Sequence, residues 1–174
     1  KVVSRMRSLV IVLEIGQQER TALEKEQLAS KKNGWYVDYI NQMDASEILP
    51  GVLPFLDELR GEGIKVALGS ASKNARTILD RVGLTDYFHA IVDGNLVSKA
   101  KPDPEVFTLG ASLLNIEPRH AVVFEDAQAG IEAALRANMM TIGVGDPHTL
   151  KDAHYVIPGF ANFTLSDLHR VLAR

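Results

Sequence analysis

The sequence predicts an α/β protein: a doubly wound parallel sheet with a small helical piece ahead of it. Three observations carry that expectation. From Ile64 onward, short apolar runs alternate with segments of helical period, the pattern of parallel strands joined by crossover helices. Polar residues gather where those runs end, at Ser70 to Asn74, Lys99 to Pro104 and Glu125-Asp126, and open parallel sheets bind ligands outside the carboxyl ends of their strands. Before position 44, Leu9, Val12, Leu13, Leu23, Leu28, Tyr36 and Ile40 recur near helical spacing with charged residues between them, and no strand pattern interrupts.

The elements follow in order. Residues 1 to about 43 read as helical. Ile48-Leu-Pro-Gly51 is a turn and a hinge, and Val52 to Leu59 form an amphipathic helix stopped by Gly61 and Gly63. Ile64 to Ser70 is a strand, Asn74 to Val82 a helix closed by Gly83, and Ala90 to Asp93 a strand. Pro104 to Leu114 is a helix, Ala121 to Phe124 a strand, Gln128 to Ala137 a helix and Met140 to Val144 a strand. Tyr155 to Ile157 is a last short strand and Leu165 to Leu172 a closing helix. The expected division is a partial helical cap over 1–46 and an α/β core over 47–174.

Composition narrows the function classes. With 46% hydrophobic residues, 24% charged and a net charge of −3, the chain has no basic excess to draw nucleic acid. No apolar run approaches the roughly 18 residues of a membrane span, and the opening has no signal-peptide core. The absence of Cys excludes disulfides, thiolate nucleophiles and cysteine zinc sites, which makes the cytoplasm the expected compartment. The five His, at 89, 120, 148, 154 and 169, lack metal-ligand spacing and read as surface or turn residues.

Three clusters carry chemistry. Glu125 and Asp126 are adjacent carboxylates at the end of an apolar run, and such a pair repels unless a cation joins it, which suggests Mg²⁺. An acidic helix N-cap is the alternative. Ser70, Ser72, Lys73 and Asn74 combine hydroxyls, an amide, a cation and free N–H groups before a helix, a combination that suits phosphate. A plain cap would explain one or two of them. Pro102 and Pro104 fix the chain around Lys101, placing its charge on a phosphoryl oxygen or beside a carboxylate. Arg5 and Arg7, taken alone, read as a solvated face.

In this order, Ser70 at a strand end, Lys101 before proline and the Glu125-Asp126 pair resemble three of the four catalytic motifs of the haloacid dehalogenase superfamily of aspartyl phosphotransferases. Val3-Ser-Arg5, Lys31-Lys-Asn33, Leu49-Pro-Gly51, Ala71-Ser-Lys-Asn74 and Glu125-Asp-Ala-Gln-Ala-Gly130 narrow the resemblance to its β-phosphoglucomutase family. The resemblance implies a soluble, monomeric Mg²⁺ enzyme with a Rossmann-like core. Such an enzyme converts β-glucose 1-phosphate to glucose 6-phosphate through a bisphosphate. It implies that Ser70 and Lys101 grip the transferring phosphoryl group and that Asp126, supported by Glu125, holds Mg²⁺. Arg5 and the Ala71, Ser72, Lys73 and Asn74 loop are implied to bind the second phosphate, with Lys32 a weaker candidate for the same pocket. Closure of the cap would exclude water.

One motif departs from the pattern. The superfamily's Asp-x-Asp-Gly, which supplies the nucleophile, is absent; Asp93-Gly94 lacks the second Asp at the right spacing and follows a later strand. The family pattern places that first strand upstream of Lys1, so the chain is expected to begin in mid-protein and to be inactive by itself. The strands ending at Ser70 and Phe124 are then expected to flank a strand-wide gap, with Ser70, Lys101 and Asp126 at its mouth. A sugar-phosphate phosphatase on the same scaffold and a non-catalytic phosphosugar-binding remnant are the alternatives.

Overall fold

The computed structural model describes residues 21–173. They fall in two compact units that divide between Met43 and Asp44.

The first unit contributes one described helix, α1 (Ala22–Gln42). Its start is built by a reciprocal cap: the Thr21 hydroxyl accepts the Glu24 N–H at 3.3 Å, and the Glu24 carboxylate accepts the Thr21 N–H at 2.8 Å. Extended backbone at Met43 ends it. The helical reading of positions 22–42 holds, while positions 1–20 lie outside the described residues.

The second unit opens with a turn at Ala45–Glu47, fixed by the Asp44 carboxylate on the Ser46 N–H at 2.8 Å. Helix α2 (Val52–Gly61) buries Phe55, Leu56 and Leu59. It runs through Gly61, two residues past the expected stop, because the chain breaks only at Gly63, with φ of +66°. Then follow β1 (Ala67–Gly69), α3 (Ala75–Val82), β2 (Ala90–Val92), α4 (Glu105–Leu114), β3 (Val122–Glu125), α5 (Gln128–Arg136), β4 (Met140–Val144), β5 (Tyr155–Ile157) and α6 (Leu165–Leu172). Every expected core element is present.

All strand pairs are parallel, as βαβ connections require. The strands form two ladders, β1-β2 and β3-β4-β5. Among the described residues no ladder joins β1 to β3, in keeping with the expectation of a break between those strands. Helix α4 packs on β1 and β2, α5 on β3 and β4, and α4 touches α5.

The core is aliphatic. Val92, Ile131, Ala133, Ala134 and Ile142 have no exposed surface, and each large side chain buried this way is worth about 2 kcal/mol. Four rings, Phe55, Phe124, Phe160 and Phe163, stand with centroids between 5.4 and 6.3 Å apart and join α2 to β3 and to the loop after β5.

All five histidines are exposed, as the surface reading expects, and two of them also bind main chain. His89 directly precedes β2; its N–H donates to Val66 O at 2.8 Å and its Nδ1 accepts the Val66 N–H at 3.2 Å. His154 directly precedes β5; its Nδ1 accepts the Thr141 N–H at 3.1 Å, and its own N–H donates to the buried Thr141 hydroxyl at 3.1 Å. Each ring satisfies main-chain groups at the amino end of an edge strand.

Candidate active site

The site is built where β1 and β3 end. At the end of β1 the Ser70 N–H still reaches Val92 O at 2.8 Å, continuing the ladder. The chain then coils on its own hydroxyls: the Ser72 N–H donates to Ser70 Oγ at 3.1 Å and the Asn74 N–H to Ser72 Oγ at 3.2 Å. Lys73 is exposed, while Ser70, Ala71, Ser72 and Asn74 are half-buried. Asn74 precedes α3 but makes no side-chain cap bond, so the cluster is not a plain N-cap.

Lys101 is delivered by the loop between β2 and α4. That loop is held by Glu105, whose carboxylate accepts the Ser98 N–H at 3.0 Å and the Lys99 N–H at 2.7 Å. These two bonds hold the Glu105 carboxyl below the usual carboxylate range. The Lys101–Pro102 peptide is cis. Lys101 Nζ lies 3.0 Å from Glu125 Oε2, 3.3 Å from Gly69 O and 4.7 Å from the centre of the Phe107 ring. Its side chain is 8% exposed and that of Glu125 12%.

Glu125 ends β3. Burial pushes its carboxyl up, the Lys101 charge and hydrogen bond draw it back, and neighbouring Asp126 raises it again. The space for this carboxylate is provided by Gly130: a methyl there would lie 2.1 Å from Glu125 Cδ. Asp126 is exposed. The N-cap of α5 is Ala127, without a side-chain cap bond, so the acidic N-cap reading does not hold.

The adjacent carboxylates therefore have different surroundings. Glu125 is paired with Lys101 through Oε2, and Asp126 is the open one. The described residues contain no group of three or more His, Cys, Asp or Glu side chains able to cage a metal. They fit a hard cation in part: Asp126 is one oxygen donor, and the six oxygens of Mg²⁺ would have to be completed from elsewhere.

Of the residues singled out from the sequence, the structure brings Lys101, Glu125 and the Gly69–Ser70 strand end together, with Asp126 next in the chain. Lys32 is exposed on α1, and Arg5 lies outside the described residues. Sequence reasoning missed Asp93, buried at the end of β2; the signal was a carboxylate closing an apolar run, as at Glu125.

A family model described as haloacid dehalogenase-like hydrolase matches residues 4–138. The chain is 39% identical over 171 residues to the β-phosphoglucomutase of Bacillus subtilis (strain 168), spanning 97% of this chain and 76% of that protein. It is 38% identical over 112 residues to a phosphorylated carbohydrates phosphatase of Thermotoga maritima, spanning 62% of this chain and 51% of that protein. The crystal structure of a β-phosphoglucomutase from Clostridium difficile superposes with a TM-score of 0.87 at 35% identity, covering 99% of this chain and 80% of that one.

Proposed function

From the premise that the chain belongs to the haloacid dehalogenase-like hydrolase family, we propose that the protein is a β-phosphoglucomutase. It interconverts β-glucose 1-phosphate and glucose 6-phosphate through an aspartyl phosphate whose Asp is not in this chain. The observation that carries this reading is the extent of the match: likeness to a mutase runs over 97% of the chain, α1 included, whereas likeness to the phosphatase covers 62%. The compartment is the cytoplasm and the protein a monomer.

Phosphoryl transfer asks a protein mainly for alignment and charge stabilisation. Lys101, oriented by Glu125 and Gly69 O, is already desolvated, so its charge acts strongly on a phosphoryl oxygen at the end of β1. Ser70 presents its hydroxyl beside that group. Ser72, Lys73 and Asn74, with Ala71 between the serines, take the second phosphate together with Arg5, and Lys32 is the weaker candidate. Asp126, supported by Glu125, would hold Mg²⁺, and the ion when bound would neutralise charge on the transferring group.

A second reading, a sugar-phosphate phosphatase, is favoured by the Thermotoga maritima relative. Phosphorus NMR of the natural gene product with Mg²⁺, β-glucose 1-phosphate and catalytic glucose bisphosphate separates the two. Accumulation of glucose 6-phosphate is expected. Faster release of inorganic phosphate would make it a phosphatase, and binding without turnover would leave a phosphosugar-binding protein.

A further inference from the structure

The Asp93-Gly94 pair, rejected above as a nucleophile motif, has another place in the fold. Asp93 follows β2 and is 3% exposed; with Thr141 it is one of two buried polar or charged residues among those described. A buried carboxylate is costly unless its oxygens are bound. Here Oδ1 accepts the Asn95 N–H at 2.9 Å, and Oδ2 lies 3.7 Å from Nε of Arg76. Arg76 in turn donates to Ile91 O at 3.3 Å.

This arrangement folds residues 93–95 into a turn that faces the Ser70 to Asn74 loop. The Gly94 N–H donates to Ser72 O at 3.1 Å, and Asn95 Nδ2 to Lys73 O at 3.2 Å. The approach is close enough that a methyl on Gly94 would stand 2.3 Å from Ala71 O. In a trans peptide C=O and N–H point opposite ways. Tying the carbonyls of Ser72 and Lys73 to the turn therefore directs the Lys73 N–H away from it and sets the Asn74 N–H on the Ser72 hydroxyl.

We propose that Asp93 is a positioning residue for the second, non-transferring phosphate: acting through Gly94 and Asn95, it braces the Ser72 to Asn74 stretch so that the Ser72 hydroxyl, the N–H groups and the Lys73 ammonium form one anion site. The inference rests on the reading of that loop as a sugar-phosphate site. Its sign separates it from a simple charge effect. A carboxylate near a phosphate is electrostatically unfavourable, so removing Asp93 on charge alone would tighten the anion; removing a brace weakens it.

The test measures glucose 6-phosphate affinity by calorimetry on the natural gene product, beside β-glucose 1-phosphate turnover and acetyl phosphate hydrolysis. Asp93→Ala and Asn95→Ala should each weaken glucose 6-phosphate about fivefold, the effect of one lost hydrogen bond. KM should rise with them, while kcat for acetyl phosphate stays within about twofold. Asp93→Asn, which still accepts the Asn95 N–H, should also stay within about twofold of wild type. Tighter binding by Asp93→Ala overturns the proposal. So does unchanged affinity in Asn95→Ala, which alters an exposed side chain and decides the matter if Asp93→Ala fails to fold. A wild type that binds glucose 6-phosphate without isomerising β-glucose 1-phosphate overturns the mutase reading alone, and a wild type that binds no sugar phosphate overturns both.

Discussion

Lys101 Nζ sits 3.0 Å from Glu125 Oε2 while also donating to Gly69 O, so one ammonium ties the carboxyl ends of β1 and β3, strands that belong to different sheets. Both side chains are nearly enclosed, and neither has a neutral reason to be there. Removing one partner leaves the other as a buried, uncompensated charge. Lys101→Ala is therefore expected to cost roughly 3 kcal/mol of stability and at least about 100-fold in turnover. Adding Glu125→Ala to it should restore part of the stability and none of the activity. Urea unfolding of the two single variants and the double variant checks this, and strictly additive losses would sink the coupling.

Gly130 lies inside α5, where Ala ordinarily adds about 1 kcal/mol. Here the added methyl would meet the Glu125 carboxyl group at 2.1 Å. Overpacking then prevails, and Gly130→Ala is expected to destabilise by about 1–2 kcal/mol and to slow turnover by displacing Glu125 from Lys101. A gain in melting temperature with full activity would contradict the geometry.

Asp126→Asn should reduce apparent Mg²⁺ affinity on the order of tenfold, about 1.4 kcal/mol of lost attraction between charges. Calorimetric titration with Mg²⁺ reads this without reliance on turnover. An unaltered affinity would remove Asp126 from the metal site.

Glu105 provides the pH-dependent case. Its carboxyl is held below its ordinary value of 4.5 by the Ser98 and Lys99 N–H groups. A lowered folded value means that the contribution to stability is fully present above pH 4.5 and disappears as pH falls through the folded value. Glu105→Gln should melt below wild type by a constant margin between about pH 7 and pH 5, and that margin should narrow only in stronger acid. A margin that persists unchanged to about pH 2 would mean that the charge on Glu105 is not what holds the loop.

Much of the α/β order was legible because its signals are local. Met140–Val144, Tyr155–Ile157 and Leu165–Leu172 were placed to the residue, each marked by an apolar run or an amphipathic period with breakers on both sides. The Ile64 to Ser70 run shrank to Ala67–Gly69, because ladder length depends on a partner, and β2 offers only three residues. In the site, residue types were readable and relationships were not. The adjacency of Glu125 and Asp126 was readable, whereas the pairing of Glu125 with Lys101, 24 positions earlier, was not. The task of Asp93 was hidden for the same reason: its partners, Arg76 and the Ser72 and Lys73 carbonyls reached through its turn, come from another βα unit.

The histidines before β2 and β5 carry a further consequence. A ring nitrogen that accepts a main-chain N–H must hold a lone pair, so in both His89 and His154 the proton of the neutral ring belongs on Nε2. Both edge strands thus select the same tautomer independently, at the end of the strands opposite Lys101. Nitrogen chemical shifts of the two imidazoles should form a matched pair, and they would report on the integrity of each sheet from the far side of the chemistry.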